Sequence, residues 1–124
     1  EIDAVLDPEQ IVNARAVIDR IHVDDRIRDY VVDLVIATRD PSQAGLTFGE
    51  LVDFGASPRA SIALILVAKA KAFLDGRGYV VPQDVKDAAA PVLRHRIGLS
   101  YEAEAEDRSA DDIVNALLEH VPVP

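Results

Sequence analysis

The chain has 124 residues, 49% of them hydrophobic, and a formal net charge of −9, which together predict one folded domain. The absence of cysteine excludes a disulfide framework, a thiolate zinc site and a cysteine nucleophile. No stretch approaches the roughly 20 apolar residues of a membrane span, and a pI near 4.6 argues against a nucleic-acid-binding protein, because Lys and Arg supply the affinity for phosphate.

The first part of the chain predicts two helices. The first begins at Asp7, whose carboxylate can cap free backbone N–H groups, with Pro8 at the first helical position. The second begins at Asp24 and ends before Pro41, because proline cannot continue a helix. The turn between the two helices is short, so we expect them to pack as an antiparallel hairpin.

A loop and a strongly apolar helix follow. Residues 41–56 contain three glycines and no sustained helical period, so we expect a loop with one short turn or extended piece. The third helix begins at Ser57 and Pro58, and it has no polar residue between Ile62 and Ala68. A helix that is apolar nearly all round is buried, so the sequence predicts that this helix is central and covered by the others.

The rest of the chain predicts two more helices. Pro82 begins the fourth, and Pro91 should kink it or split it after Ala90, because proline lacks the N–H that the helix ladder needs. The last helix begins at Ser109. The acidic residues 99–106 before it alternate like a strand but are equally well an exposed connector.

Five helices with little or no sheet place the chain in the all-α class, as a small helical bundle that forms a single domain over residues 1–124. Within it, we expect residues 1–6 to be a linker and residues 99–124 a connector followed by the terminal helix. Since the chain has no methionine and begins at Glu1, we also expect a domain excised from a longer protein.

Charge is unevenly distributed along the chain. Residues 1–54 carry −7, residues 55–98 carry +4 and residues 99–124 carry −6, so a basic segment lies between two acidic ones. Arg59 lies in the first turn of the third helix, where the helix dipole disfavours a cation. Together with the free N–H groups of that turn, its guanidinium forms a site complementary to an anion, phosphate above all. The alternative is a solvated arginine whose methylenes pack on a neighbour.

Other candidate sites have an ordinary structural explanation. His22, Asp24 and Asp25 could be drawn as metal ligands, but acids belong at a helix start, so we expect no metal site. Arg94 and Arg96 lie near a helix C-terminus, where cations suit the dipole. The serines all lie at predicted caps or in loops, so no Ser/His/Asp nucleophile is evident.

Three segments resemble the lid of the MoxR family of AAA+ ATPases, the small helical domain that follows the ATPase core. They are GASPRAS at 55–61, ALILVAKAKAFLDGRGYVVPQDV at 63–85 and VLRHRI at 92–97, in one order and spacing. The resemblance extends upstream through residues 23–39 and downstream to the end of the chain, so it covers nearly all of it.

The resemblance implies a role for Arg59. In that family the arginine of the GxSPR motif is the sensor 2 residue, which reaches the γ-phosphate of ATP held mainly by the core. Arg94 and Arg96 then become possible contacts to the nucleotide or the core. Two features depart from the family pattern. Val81 offers no capping oxygen, which should weaken the start of the fourth helix by about 0.5–2 kcal/mol, and the loop at 41–54 is not one expected from the family.

The sequence also limits the activity of this chain. It has no GxxxxGK[ST] loop for phosphates and no apolar strand ending in paired acids for Mg²⁺, so we expect no catalytic residue here. The resemblance implies that the parent protein is a cytoplasmic ATPase that binds ATP and Mg²⁺, with the Mg²⁺ held outside this chain. It implies as partners the chain's own ATPase core, neighbouring subunits of a hexameric ring with a chaperone-like role, and von Willebrand factor A-domain proteins.

Two other classes of function stay open. A free-standing helical adaptor with no nucleotide role would use the basic segment to bind an acidic partner. A phosphate-loop lysine encoded upstream of Glu1 would support the lid, whereas a start codon just before Glu1 would support the adaptor. A helix-turn-helix DNA-binding protein is disfavoured by the acidic flanks.

Overall fold

Six α-helices and one two-stranded sheet make up the part of the chain that this computed structural model describes, residues 1–46 and 49–124. This confirms the all-α class, with one short helix more than the sequence predicts. The helices are α1 (Pro8–Asp19), α2 (Asp25–Arg39), α3 (Arg59–Leu74), α4 (Pro82–Leu93), α5 (Tyr101–Ala105) and α6 (Ala110–His120). The strands are β1 (Val52–Phe54) and β2 (Gly98–Leu99), and two 3₁₀ turns cover Pro41–Ala44 and Gly49–Leu51.

Capping side chains begin several of these helices. Asp7 accepts a hydrogen bond from the Gln10 N–H at 2.8 Å, and the Gln10 side chain accepts one from the Asp7 N–H at 2.9 Å. Ser109 and Asp112 form the same reciprocal pair before α6. Each pair satisfies two backbone donors that a helix start leaves free, which is why these two starts are readable from the sequence.

The core lies where α3 packs against α4, with α2 against α3 and α6 against α4 and α2. Fully buried alanines line the interface between α3 and α4, and their small side chains let the two backbones approach closely. Leu64 of α3 and Leu117 of α6 are also fully buried. The buried alanines are Ala60, Ala68 and Ala72 on α3 and Ala88 and Ala89 on α4.

The prediction that α3 is covered all round is wrong for the described part of the chain. One face is buried, but Ile62 is 62% exposed and Leu66 is 50% exposed. α1 lies against the C-terminal half of α3, where the Lys69 ammonium donates to the Asp19 carbonyl at 3.1 Å. The packing of α3 is therefore one-sided, and its N-terminal half presents an apolar face to solvent.

The expected hairpin of α1 and α2 is also wrong, because α1 packs on α3. The segment between α1 and α2 is bound to the loop after α3 instead. His22 donates from its N–H to the Gly78 carbonyl at 2.9 Å, and its carbonyl accepts from the Val80 N–H at 2.9 Å. These two bonds direct α1 over α3 rather than back along α2.

β1 is the short extended piece expected within residues 41–56, whereas residues 99–106 differ from the expected exposed connector. β1 pairs antiparallel with β2, joining Val52 to Leu99 and Phe54 to Gly98. Residues 99–106 are not simply an exposed connector, because they include α5, whose central Ala103 is buried. Thr47 and Phe48, within the segment 41–56, lie outside the described residues.

Helix α4 does not split at Pro91. It continues through the proline to Leu93, and both Val92 and Leu93 are buried in the core. Only two helical residues, Val92 and Leu93, follow the proline, so the missing N–H falls in the last turn of the helix. Burial of the two apolar residues stabilises that turn.

Candidate functional site

Arg59 is the first residue of the 16-residue helix α3, and its side chain is exposed. The Ser57 carbonyl accepts from the Ala60 N–H at 2.9 Å, and the Pro58 carbonyl accepts from the Ser61 N–H at 3.0 Å. Ser57 and Pro58 therefore begin the helix through their carbonyls, and the structure shows no side-chain cap there. Because these first-turn amides are occupied, the positive character at this point comes chiefly from the Arg59 guanidinium.

The backbone just before Arg59 is fixed to the end of α2. The N–H of Ala56 donates to the Thr38 hydroxyl at 2.9 Å, and both residues are buried. Gly55 lies so close to α2 that a Cβ atom there would be 2.4 Å from the Thr38 carbonyl oxygen. Sequence reasoning did not identify this contact. The signal available in the sequence was a hydroxyl among aliphatic residues at the end of a helix.

Arg94 and Arg96 both have partners within the domain. Arg94 forms two hydrogen bonds with the Asp111 carboxylate, at 2.9 and 3.0 Å, which join the end of α4 to α6. Arg96 donates to the Val92 carbonyl at 2.6 Å. These contacts support a structural role for both arginines.

Pairing of β1 with β2 brings two parts of the basic segment together at one end of the bundle. Gly98 lies two residues after Arg96, and it pairs with Phe54, which lies five residues before Arg59. The Phe54 ring lies directly over Gly98, where a Cβ would be 2.2 Å from the nearest ring carbon. The structure therefore brings the chain around Arg96 beside the segment that leads into Arg59.

Arg77 forms the most buried ion pair of the described residues, and sequence reasoning did not assign it a role. Its guanidinium donates to both oxygens of Asp84, at 2.8 and 2.7 Å, and to Asp75 at 2.9 Å. Asp84 is 2% exposed and also accepts from the Val81 N–H at 2.8 Å. The sequence did contain a signal for this ion pair. An arginine lies in the Gly-Arg-Gly turn, and an acid follows in the first turn of α4.

The electrostatics of this pair follow from its contacts. Burial alone raises the pKa of Asp84, but hydrogen bonds from the Arg77 guanidinium and the Val81 N–H outweigh burial and hold that pKa below its ordinary value. The hydrogen bonds to Asp84 and, to a smaller extent, to Asp75 raise the pKa of Arg77. Asp84 also accepts from the Val81 N–H, and its own N–H donates to the Val81 carbonyl at 3.0 Å, so the start of α4 is held without a capping side chain at Val81.

The acidic group near His22 acts as a helix cap. Asp24 accepts from the Arg26 N–H at 2.9 Å and from the Arg26 side chain at 3.0 Å, and the latter bond chiefly lowers its pKa. Within residues 1–46 and 49–124, no group of three or more His, Asp or Glu side chains could hold a metal ion. No helix in the same part of the chain is long and apolar enough to cross a membrane.

Comparison with known proteins places this geometry in a family. The model of the AAA lid domain matches residues 48–117. Chaperone MoxR1 of Mycobacterium tuberculosis is 46% identical over 97 residues, which cover 77% of this chain and 26% of that protein. Protein MoxR of Paracoccus denitrificans is 40% identical over 110 residues, which cover 83% of this chain and 32% of that protein.

A solved structure shares the fold. The crystal structure of a proposed ATPase from Cytophaga hutchinsonii superposes with a TM-score of 0.90 and is 39% identical, covering 94% of this chain and 36% of that one. The chain thus spans 26% to 36% of the length of these three proteins. The family match, the relatives and the shared fold agree, and the chain belongs to the AAA lid domain family, as a lid of the MoxR type of AAA+ ATPase.

Proposed function

We propose that this chain closes over ATP bound by the ATPase core of a longer protein, and that Arg59 is the sensor 2 residue that contacts the γ-phosphate. One observation carries the proposal. Of the four arginines in the basic segment 55–98, Arg59 is the one without a hydrogen bond or ion pair to any described residue. The unpaired Arg59 guanidinium lies at a helix start, where the helix dipole destabilises a positive charge. A bound anion would offset that destabilisation.

The side chains present fit a phosphate but not a magnesium ion. An exposed guanidinium can donate two parallel hydrogen bonds to phosphate oxygens. Mg²⁺ needs carboxylate ligands beside the phosphates, and no acidic cluster able to hold a metal exists in the described residues. In the proposed arrangement, ATP supplies the anion, Arg59 binds its terminal phosphate and the core holds the Mg²⁺.

The proposed mechanism couples nucleotide state to domain position. ATP offers Arg59 a γ-phosphate that ADP lacks, so the lid is held closed by one state and not by the other. The resulting rigid-body rotation would pass to a neighbouring subunit of a ring, a hexamer in the simplest form. A protein with a von Willebrand factor A domain is the partner that we propose for the assembly, with a chaperone-like role.

Replacing Arg59 by Ala in the full-length protein tests the assignment. We expect ATP hydrolysis to fall by about tenfold or more, because a charge-assisted contact to the transferred phosphate is lost. Arg15→Ala is the matched control, since Arg15 is also exposed and has no partner among the described residues. Hydrolysis near the wild-type rate for Arg59→Ala would show that the sensor 2 assignment is wrong.

The alternative of an adaptor has one structural feature in its favour. The exposed apolar face at the N-terminal half of α3, with Ile62 and Leu66, is the kind of surface that binds another protein. An adaptor role for this domain predicts that Arg59→Ala does not change any ATP hydrolysis by the full-length protein, while substitution of Ile62 weakens partner binding. The same pair of variants therefore separates the two functions.

A further inference from the structure

The contact between Thr38 and Ala56 joins the last turn of α2 to the entry of α3. Thr38 is fully buried, and its hydroxyl has two partners. It donates to the Val35 carbonyl at 2.7 Å and accepts from the Ala56 N–H at 2.9 Å. The first bond fixes the direction of the hydroxyl, so its lone pair is oriented toward Ala56. A buried backbone N–H needs such a partner, and Thr38 supplies it across 18 residues of sequence.

Gly55 makes the contact possible by leaving space. A Cβ atom at this position would lie 2.4 Å from the Thr38 carbonyl oxygen and 2.6 Å from the Arg39 amide nitrogen. Both atoms belong to the backbone of α2, which cannot move aside as a flexible side chain would. The approach of the two segments is therefore fixed by one missing side chain and one hydroxyl.

Only two residues, Ser57 and Pro58, separate this anchor from Arg59. The intervening backbone is itself bonded, through the Ala60 N–H to the Ser57 carbonyl and the Ser61 N–H to the Pro58 carbonyl. Ala60, the residue after Arg59, is fully buried. The Arg59 side chain has no partner of its own in the described residues. The position of the backbone therefore determines the point from which this side chain extends.

We infer that Thr38 is a positioning residue for Arg59. Its hydroxyl holds the entry of α3 against α2, and this fixes the point from which the guanidinium reaches the terminal phosphate. The inference rests on the proposed function of Arg59. It adds that the ability to distinguish ATP from ADP depends on a buried threonine that does not touch the nucleotide.

The test replaces Thr38 by Val in the full-length protein and measures the dissociation constants of ATP and ADP. Valine keeps the shape and removes the hydroxyl. We expect the preference for ATP over ADP to fall by about three- to tenfold, as for loss of one orienting hydrogen bond. Thr38→Ser keeps the hydroxyl and should stay within about twofold of the wild type. Val114→Ala, a buried substitution in α6, controls for a general loss of stability.

A double mutant shows whether the effect passes through Arg59. In the Arg59→Ala background, Thr38→Val should leave the ATP preference unchanged, because the group that it positions is already absent. A further fall in that background would overturn the inference. So would an unchanged preference for Thr38→Val beside a reduced one for Arg59→Ala. If Arg59→Ala itself leaves the preference unchanged, the proposed function fails first.

Amide hydrogen exchange of the same variants tests directly whether the Thr38 hydroxyl holds the entry of α3. In a folded Thr38→Val protein, the Ala56 amide should exchange faster than in the wild type, while the amides of α6 keep their protection. Unchanged protection of Ala56 would mean that the hydroxyl does not hold this segment, and would overturn the inference by a second route.

Discussion

Replacing Asp84 by Asn tests how the turn between α3 and α4 is held. The carboxylate is 2% exposed and accepts two hydrogen bonds from Arg77 and one from the Val81 N–H. Asparagine keeps the size of the side chain but loses the charge and turns an NH₂ group toward a donor. Removal of one partner from a buried ion pair costs about 3–5 kcal/mol. Because Arg77 keeps its bond to Asp75 and is partly exposed, we expect a smaller loss of about 2–3 kcal/mol.

The assay is urea unfolding of the 124-residue chain, followed by far-UV circular dichroism at about pH 7. A loss of this size should also lower the melting temperature by about 6–15 °C, given about 3–5 °C per kcal/mol for a chain of this length. Asp111→Asn is the matched control. It breaks the Arg94–Asp111 pair, in which both side chains are about half exposed, and should change the unfolding free energy by less than about 1 kcal/mol.

The pH dependence gives an independent check on the charge. Burial raises the pKa of Asp84, but the Arg77 and Val81 hydrogen bonds lower it below its ordinary value. A carboxylate with a lowered pKa in the fold stabilises the protein above its unfolded pKa of about 3.9, and this contribution is lost as the pH falls through the folded pKa. The difference between wild type and Asp84→Asn should thus be constant from about pH 7 to 5 and shrink below about pH 4.

Two results would refute this reasoning. One is a loss of stability for Asp84→Asn that does not exceed the loss for Asp111→Asn. The other is a difference between wild type and Asp84→Asn that does not shrink as the pH falls below the unfolded pKa of about 3.9, where the unfolded wild type begins to bind a proton.

Two further predictions concern the packing of α3, and both are measured by urea unfolding. Leu64→Ala should lower the unfolding free energy by about 2–5 kcal/mol, because Leu64 is fully buried, whereas Ile62→Ala, at a 62% exposed position, should change it by less than about 0.5 kcal/mol. Equal effects of the two would contradict the one-sided burial of this helix. Gly55→Ala should cost about 1–3 kcal/mol because its Cβ meets the backbone of Thr38. Gly78→Ala, with open space around it, should cost less than about 0.5 kcal/mol, and the Gly55 contact is unimportant if the two glycines behave alike.

Local sequence signals were enough for the helix starts and for the candidate arginine. Asp7 with Gln10 and Ser109 with Asp112 begin their helices through partners three residues away, so the information lies within one turn. The same holds for Arg59, whose place in the first turn of α3 follows from the serine–proline start alone. These features depend on spacing along the chain and not on packing.

Contacts between distant segments were not predictable in this way. The position of α1 depends on the backbone hydrogen bonds of His22 with Gly78 and Val80. No local sequence pattern predicts these bonds. β1 and β2 have three and two residues, too few to show the alternation of a strand. The partner of Thr38 is 18 residues away, and its role is visible only once α2 and the entry of α3 are side by side.

Helix α3 is joined to neighbouring helices at both of its ends. At 1.5 Å per residue its 16 residues span about 24 Å. Thr38 holds one end to α2, and the Arg77–Asp84 pair holds the turn after the other end to α4. Because both ends are joined to neighbouring helices, we expect a displacement at Arg59 to move α3 together with α2 and α4. A rotation of about 5° about Arg59 would move Leu74, which is 80% exposed at the far end, by about 2 Å.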